Sequence, residues 1–501
     1  MTAASAPEAD VALLLEGTYP FVSGGVSSWV HHLLLAHPDL SFHLVCLTPD
    51  DRPRGQRFDL PGNVRSLTCI PLQSLPIGPA RANRRTMGSI EGMLHLVDQL
   101  LCGVAELSDL TAIARHIESV DGAAGRALLL DSRLAFKTVR TGYERSGGDS
   151  SFLDYFWSWR SLASAVLAVL LPTLPPARCY HAVSTGFAGL LGARLAASTG
   201  RPLILTEHGI YTNERRIEIA MADWLYRGPE ASFAPRKTVR DLRDLWMEAF
   251  EGFARLTYAA AGPIVTLYRG NQGLQLRDGA LAARCTIIPN GVDADRYAAI
   301  PRSSEPRPPT VALIGRVVPI KDVKTFIRAV GLLRRKVPDA RGEILGPLEE
   351  DPIYARECAA LIRQLGLEDA VTLHGSIAVP EWLGRIDVNV LTSISEAQPL
   401  TILEAGAAGV PCIATNVGAC REMIEGDPPG ETKLRPGGII TPVANPAATA
   451  EAMARLLTDP AAWSAASGGI RDRVRTRFLK SDCDRAYRAL YLRAVDMKHA
   501  A

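Results

Sequence analysis

The 501-residue chain has no C-x-x-C pair, no basic stretch ahead of an early apolar run and no strong charge of either sign. Its nine cysteines, an odd number, are scattered at positions 46, 69, 102, 179, 285, 358, 412, 420 and 483. That scatter argues against a disulfide framework and a zinc cluster, and it fits a reducing cytoplasm. A formal net charge of +2 gives no field that would recommend nucleic acid or a membrane surface as the main partner. An anionic ligand must then be held by local groups. The start, MTAASAPEAD, is acidic, and the VALLL that follows is too short for a secretory signal. The longest apolar stretch, Leu162 to Leu171 with Ser164 inside it, stops at Pro172 after about half of the roughly 20 residues that span a bilayer. A soluble cytoplasmic protein without a direct membrane span is expected.

Two further absences concern chemistry. The glycine loop after the first strand is not G-x-G-x-x-G, which disfavours classical dinucleotide binding. No D-x-D pair sits at a strand end and no histidine joins a ligand-spaced cluster, so neither a metal nor any other cofactor is expected. There is also no short-period repeat of the solenoid kind.

What is present is ordinary globular material, 47% hydrophobic and 22% charged, long enough for two or three domains. Short apolar runs alternate with helix-period segments at both ends, the pattern of a parallel sheet covered by helices. VALLL at 11–15 reads as a buried strand, followed by a loop with Gly17, Gly24 and Gly25 and a helix from about Ser27. Strand-like runs continue at 42–47, 203–206, 264–267 and 285–288. Residues 75–175 read as a helical insertion that includes GYERSGGDSS, and AIPRSSEPRPPT at 299–310 as an exposed interdomain linker. Alternation restarts with strands at 311–315, 343–346, 371–375, 388–393 and 411–415, and with helices from about Asp322 to Arg335 and Tyr354 to Leu365. The expected class is α/β: two doubly wound, Rossmann-like parallel-sheet domains at 1–298 and 299–480, facing one cleft, with the insertion in the first. A C-terminal helix at 481–501 is expected to pack back on the N-terminal domain. Ligands of such sheets bind outside the carboxyl ends of the strands.

Four segments carry candidate chemistry. In SEAQPLTILEAG, Glu396 and Glu404 stand with seven residues between them across a loop-to-helix step, and a helix starting near Pro399 offers the free amides of Leu400 and Thr401 to an anion. GRVVPIKD at 315–322 ends a strand with Arg316 and Lys321, a fork and a point charge suited to a diphosphate. FVSGGVSSW at 21–29 places Gly24 and Gly25 where backbone amides can approach a ligand. TEHGIYTNERR at 206–216 leaves a strand with Glu207, His208, Tyr211, Asn213, Glu214 and Arg215. His208 suits a sugar hydroxyl, and Glu207 or Glu214 an acceptor. The loop from Ser376 to Val379, after the structural-looking His374, can give backbone contacts to a nucleobase, and Asn416 to Ala419 can complete the same pocket.

Together with PNGVD at 289–293, these segments resemble the retaining glycosyltransferases of family 4, which have the two-domain GT-B fold. LLLEGTYPFVSGGVSSWVHHLL, TEHGIYTNERR and SISEAQPLTILEAG are more narrowly similar to the PelF glycosyltransferases of bacterial Pel exopolysaccharide synthesis. The resemblance implies metal-independent transfer of a sugar from UDP-Glc, UDP-GlcNAc or UDP-GalNAc to a growing glycan, with configuration retained. It also implies partnership with inner-membrane synthase and export subunits, and hence a peripheral location at that membrane. By position it gives Arg316 and Lys321 to the diphosphate, Glu404 to the ribose and Glu396 to the sugar. Gly24 and Gly25 go to the phosphate and acceptor side, and His208 to the reaction centre. Gln398 and Pro399 depart from the Phe-Gly that many relatives carry, which removes one backbone donor to the sugar. Two alternatives remain: a UDP-sugar epimerase or hydrolase on this scaffold, and a non-catalytic UDP-sugar sensor of a polysaccharide synthase.

Overall fold

The computed structural model describes residues 7–17, 19–22, 24–120, 124–146, 151–221, 242–426 and 434–496. The first six residues of MTAASAPEAD, Ser23 of the glycine loop, 147–150 of GYERSGGDSS and the last five residues of the C-terminal segment lie outside them. Two compact units emerge. One comprises residues 1–266, 271–287 and 487–501, the other 267–270 and 288–486.

The first unit holds a seven-stranded sheet built from β1 (Ala9–Glu16), β2 (Phe42–Thr48), β3 (Val64–Pro71), β4 (Ala177–Ala182), β5 (Leu203–Glu207), β6 (Ala261–Thr266) and β7 (Cys285–Ile287). Its order is β3-β2-β1-β4-β5-β6-β7, and every pairing is parallel. Chain order reverses at the β1/β4 junction, the kind of switch point where such sheets open a crevice at their carboxyl edge. Between β3 and β4 run the helices Arg84–Leu101, Leu107–Ser119, Arg126–Leu129, Arg133–Arg145 and Phe152–Leu170. Their apolar faces (Ile90, Leu94, Ile113, Trp159 and Leu167) join the core under β1, β2 and β5.

The second unit has six parallel strands: β8 (Thr310–Ile314), β9 (Arg341–Leu345), β10 (Val371–Gly375), β11 (Val388–Leu391), β12 (Cys412–Thr415) and β13 (Gly438–Thr441). Their order, β10-β9-β8-β11-β12-β13, repeats the reversal, here between β8 and β11. The two-residue period of a strand divides this sheet between two cores. Val311, Leu313, Val388, Val390 and Ile413 enter one, and Ala312, Ile314, Leu391, Cys412 and Ala414 the other. Burial on both faces explains why these strands read as unbroken apolar runs.

The expected pair of doubly wound parallel sheets is therefore present, with differences in detail. Sequence reading passed over β3, β4 and β13. VRSLTCIP lies at the sheet edge with mostly half-exposed side chains, ARCYHA hides a histidine and a cysteine in the interior, and GIIT has only four residues. The 299–310 linker needs correction. The units divide at 287/288, and the segment is tied down inside the second unit: Arg302 and Arg307 both grip Asp387, at 2.8 and 2.6 Å, and Ser303 N donates to Gly384 O. Proline content announces a stiff segment, but two guanidiniums sharing one carboxylate fix where it lies. All nine cysteines are free thiols, and among the described residues no helix is long and apolar enough to cross a membrane.

Candidate functional site

In the second unit the segments after β8 and β11 meet at the switch point. β8 runs into Gly315 and Arg316, and Gly315 N still donates to Leu345 O at the end of β9. Gly346 must be glycine there, because a Cβ would strike the Gly315 carbonyl. The chain then forms a 3-10 turn, Pro319–Lys321, and Asp322 takes a left-handed conformation with φ 43°. Two contacts hold that rare backbone. The Asp322 carboxylate accepts from Thr325 N to cap the helix Val323–Leu333, and Thr392 Oγ1, just after β11, donates to the carbonyls of Lys321 and Asp322 at 3.1 and 2.9 Å. Lys321 is thereby aimed, and its Nζ lies 2.5 Å from Glu396 Oε1.

Glu396 receives a second bond on the same oxygen, from Ser393 Oγ at 2.6 Å. Its loop is clamped from the other side by the turn after β12. Ala419 N donates to Ala397 O, and Gly418, at φ 52°, sits so close to the Glu396 and Ala397 carbonyls that a Cβ would collide with both. The expected Asn416–Ala419 turn thus lies against the Glu396 loop. The helix Leu400–Ala407 follows, opened by Pro399 with no side-chain cap. In its second turn Glu404 Oε1 accepts from Tyr297 OH at 3.1 Å. Burial raises the Glu404 carboxyl above its ordinary range, and the Tyr297 bond works against that rise.

Sequence reading left Gln398 and Tyr297 without roles. Gln398 is buried, and its Oε1 accepts from Asn290 N at 2.7 Å, joining the PNGVD segment to the E-x7-E segment inside this unit. The side chain that displaced the familiar Phe-Gly is therefore a brace. Tyr297 follows the same PNGVD segment, on the short helix Ala294–Ala298. Arg316 does not join the pair. It is 52% exposed, and its Nη1 donates to Glu350 Oε2 at 2.7 Å. Ser376 is exposed in the loop after β10. His374 Nε2 donates to Glu343 Oε2 at 2.6 Å and the ring packs on Trp382, a structural setting.

In the first unit Glu207 ends β5 fully buried. Its Oε1 accepts from Thr185, and its Oε2 from Tyr258 and Gln275. Burial pushes its pKa up to about 7 against those bonds. The expectation that Glu207 orients an acceptor is corrected: interior donors occupy both oxygens. Tyr211 is likewise turned inward, its OH donating to Glu16 Oε1 at 2.7 Å. Glu16, at the end of β1, also accepts from Ser184 Oγ and Ala188 N after β4, so it spans the β1/β4 switch point. The sequence signal for it, a carboxylate closing an otherwise apolar strand before Gly17, went unread.

His208 behaves differently. Both ring nitrogens are shielded from solvent and lack a hydrogen-bond partner among the described residues, and burial pushes its pKa down to about 4. The ring stands edge-on to Trp29 at 4.6 Å. A neutral imidazole in that state can both donate to and accept from a ligand hydroxyl. Trp29 is held in turn by Tyr487 of the helix Lys480–Asp496, and the neighbouring Tyr491 bonds to buried His181 at 2.7 Å. Gly24 and Gly25 open the helix Gly25–Ala36, exposed, with empty space where a Cβ would stand and an extended φ of 171° at Gly24. Neither packing nor backbone strain demands glycine at these two positions.

Comparison with known proteins adds the following. A family described as a domain of unknown function, DUF3492, matches residues 9–283, and one described as glycosyl transferases group 1 matches residues 308–459. D-inositol 3-phosphate glycosyltransferase from Kineococcus radiotolerans is 31% identical over 199 residues, covering 36% of this chain and 46% of that protein. Its counterpart from Paenarthrobacter aurescens is 29% identical over 262 residues, covering 49% and 58%. The chain thus spans about half the length of these curated relatives. Anabaena HepE, crystallised with UDP and glucose, superimposes with a TM-score of 0.56 at 14% identity, covering 96% of this chain and 99% of that one. At that identity the likeness establishes the fold, and the GT-B class stands.

Proposed function

We propose, from the premise that the chain belongs to the DUF3492 family and carries a glycosyl transferases group 1 region in its second half, that it is a retaining, metal-independent glycosyltransferase using a UDP-sugar donor. The observation that carries this reading is the Lys321–Glu396 pair across the β8/β11 switch point, one turn before the uncapped start of the Leu400–Ala407 helix. A cation, a carboxylate and free helix amides together suit a sugar esterified to a diphosphate. Lys321 would leave Glu396 for the diphosphate, and Glu396 would take a hydroxyl of the sugar. Glu404, steadied by Tyr297, would hold the ribose, and Arg316 would exchange Glu350 for a phosphate oxygen. His208, Gly24 and Gly25 keep the roles the resemblance gives them.

As the bond from the anomeric carbon to the UDP oxygen breaks, its electron pair passes to the diphosphate, where the cations and helix amides stabilise the charge. The acceptor oxygen bonds to the carbon on the face that UDP leaves, and its proton goes to the departing phosphate, so configuration is kept without an enzyme nucleophile. The quoted PelF-like segments support a Pel-type exopolysaccharide as acceptor and membrane synthase subunits as partners.

The test is to incubate purified protein with a panel of UDP-, GDP- and ADP-sugars and a glycan acceptor, following nucleotide release and glycan length. UDP release with a longer glycan is expected. A rearranged or hydrolysed sugar in the absence of acceptor would establish the epimerase or hydrolase instead, and binding without turnover would establish a sensor.

A further inference from the structure

We propose that the outer face of the helices Arg133–Arg145 and Phe152–Leu170 docks on an anionic lipid bilayer, a property independent of the chemistry assigned above. Three large apolar side chains stand in water there: Phe136 is 49% exposed, Leu153 62% and Trp157 59%. They form one patch. The Phe136 and Phe152 rings lie 6.0 Å apart, Phe152 continues to Phe156 at 6.3 Å and Phe156 to Trp157 at 5.2 Å, while Leu153 and Trp157 share a helix face one turn apart.

Cations flank its Phe136 edge. Arg133, Lys137 and Arg140 flank Phe136 at i−3, i+1 and i+4 and line a depression of about 400 Å³ with it, Ser132 and Asp131. The first of these helices, RLAFKTVRTGYER, has four basic residues and one acid, although the whole chain is only +2. Glu144 engages Arg140 at 3.5 Å, but Arg133 and Lys137 have no carboxylate partner among the described residues. Nearby Asp131 is already shared by Arg126 and Arg160.

An aromatic and leucine patch with two cations, Arg133 and Lys137, at its Phe136 edge matches the boundary between lipid headgroups and acyl chains. A protein partner would have to supply both an apolar socket and carboxylates in register. A bilayer with anionic headgroups supplies both without register. Because these helices are packed through Trp159, Leu162 and Val139 beneath, the outer face is presented by a rigid platform.

The experiment is co-sedimentation of the full chain with vesicles of phosphatidylcholine alone or mixed with phosphatidylglycerol. Preference for the anionic vesicles by about tenfold or more is expected, lost at high salt. F136S/L153S/W157S and R133E/K137E should each abolish it while Tm and donor turnover stay as in wild type. Equal sedimentation with neutral vesicles, none with anionic ones, or undiminished binding by both variants would overturn the proposal. So would membrane association that needs a protease-sensitive membrane protein while pure lipid binds nothing.

Discussion

Lys321 and Glu396, 75 residues apart in sequence, meet with Nζ 2.5 Å from Oε1, their side chains only 20% and 10% exposed. The contact spans the point where the second sheet reverses its order, so one partner comes from each side of the crevice. A partly buried ion pair of this kind is costly to split unless a new partner replaces the old one. A diphosphate-linked sugar offers a replacement to both sides at once.

Lys321→Ala and Arg316→Ala are each expected to lower turnover by about 10² or more, the loss typical of removing one preorganised charge-stabilising donor. Their stabilities should separate them. Arg316 is exposed in a surface pair with Glu350, so its removal should shift stability by no more than about 0.5 kcal/mol. Lys321→Ala strands the Glu396 carboxylate and should lower Tm measurably. Steady-state kinetics and thermal melts decide both, and near-normal turnover by both variants would remove the donor assignment.

Tyr297→Phe deletes the phenol that donates to Glu404 Oε1. If Tyr297 positions Glu404 for the ribose, KM for the nucleotide sugar should rise about fivefold, with kcat changed far less, as fits one lost hydrogen bond. An unchanged KM beside a lowered Tm would make the contact purely structural.

Glu207 gives a signature in pH. Its folded pKa, raised by burial to about 7, lies above the ordinary carboxyl value of 4.5, so the folded state holds its proton to higher pH than the unfolded chain does. Stability from this group is therefore whole below about 4.5 and falls as pH rises to about 7, by on the order of 3 kcal/mol. His208 and His181, pushed down to about 4 and 3, act oppositely and cost stability as pH falls below about 6.5. Subtracting the Glu207→Gln melting curve from wild type isolates the carboxylate, and a difference that is flat between pH 4.5 and 7 would contradict its buried, protonated state.

Turnover is expected to survive EDTA largely intact, since Lys321, Arg316 and the helix amides are proposed to supply the positive charge that a divalent ion would otherwise bring. Loss of activity restored only by magnesium would refute that part of the mechanism.

Much of this was legible in one dimension. VALLL, VALIG and VNVL announce strands buried on both faces because such strands need no polar alternation. Local chemistry likewise marks helix starts, as Asp322 shows by capping the amide of Thr325. What hid was polar and interior. β4 carries His181, whose ring bonds are completed by Thr206 and by Tyr491 from the far end of the chain, so nothing local identifies it as core. Gln398 reads only as half of the Gln-Pro pair that lacks one backbone donor, and its bond to Asn290 shows it to be a brace.

The sequence by itself determined the class of fold, the two-sheet plan and the residue types from which a sugar-diphosphate site can be made, because strand period, helix caps and charge placement act over a few neighbouring residues. Tertiary structure alone decided how those groups are used. It turned Glu207 and Tyr211 inward, paired Arg316 with Glu350, brought Lys321 to Glu396 and left both nitrogens of His208 without a hydrogen-bond partner among the described residues. Burial and partnership set the chemistry of an ionisable side chain, and in a parallel sheet both are fixed by strands dozens of residues away.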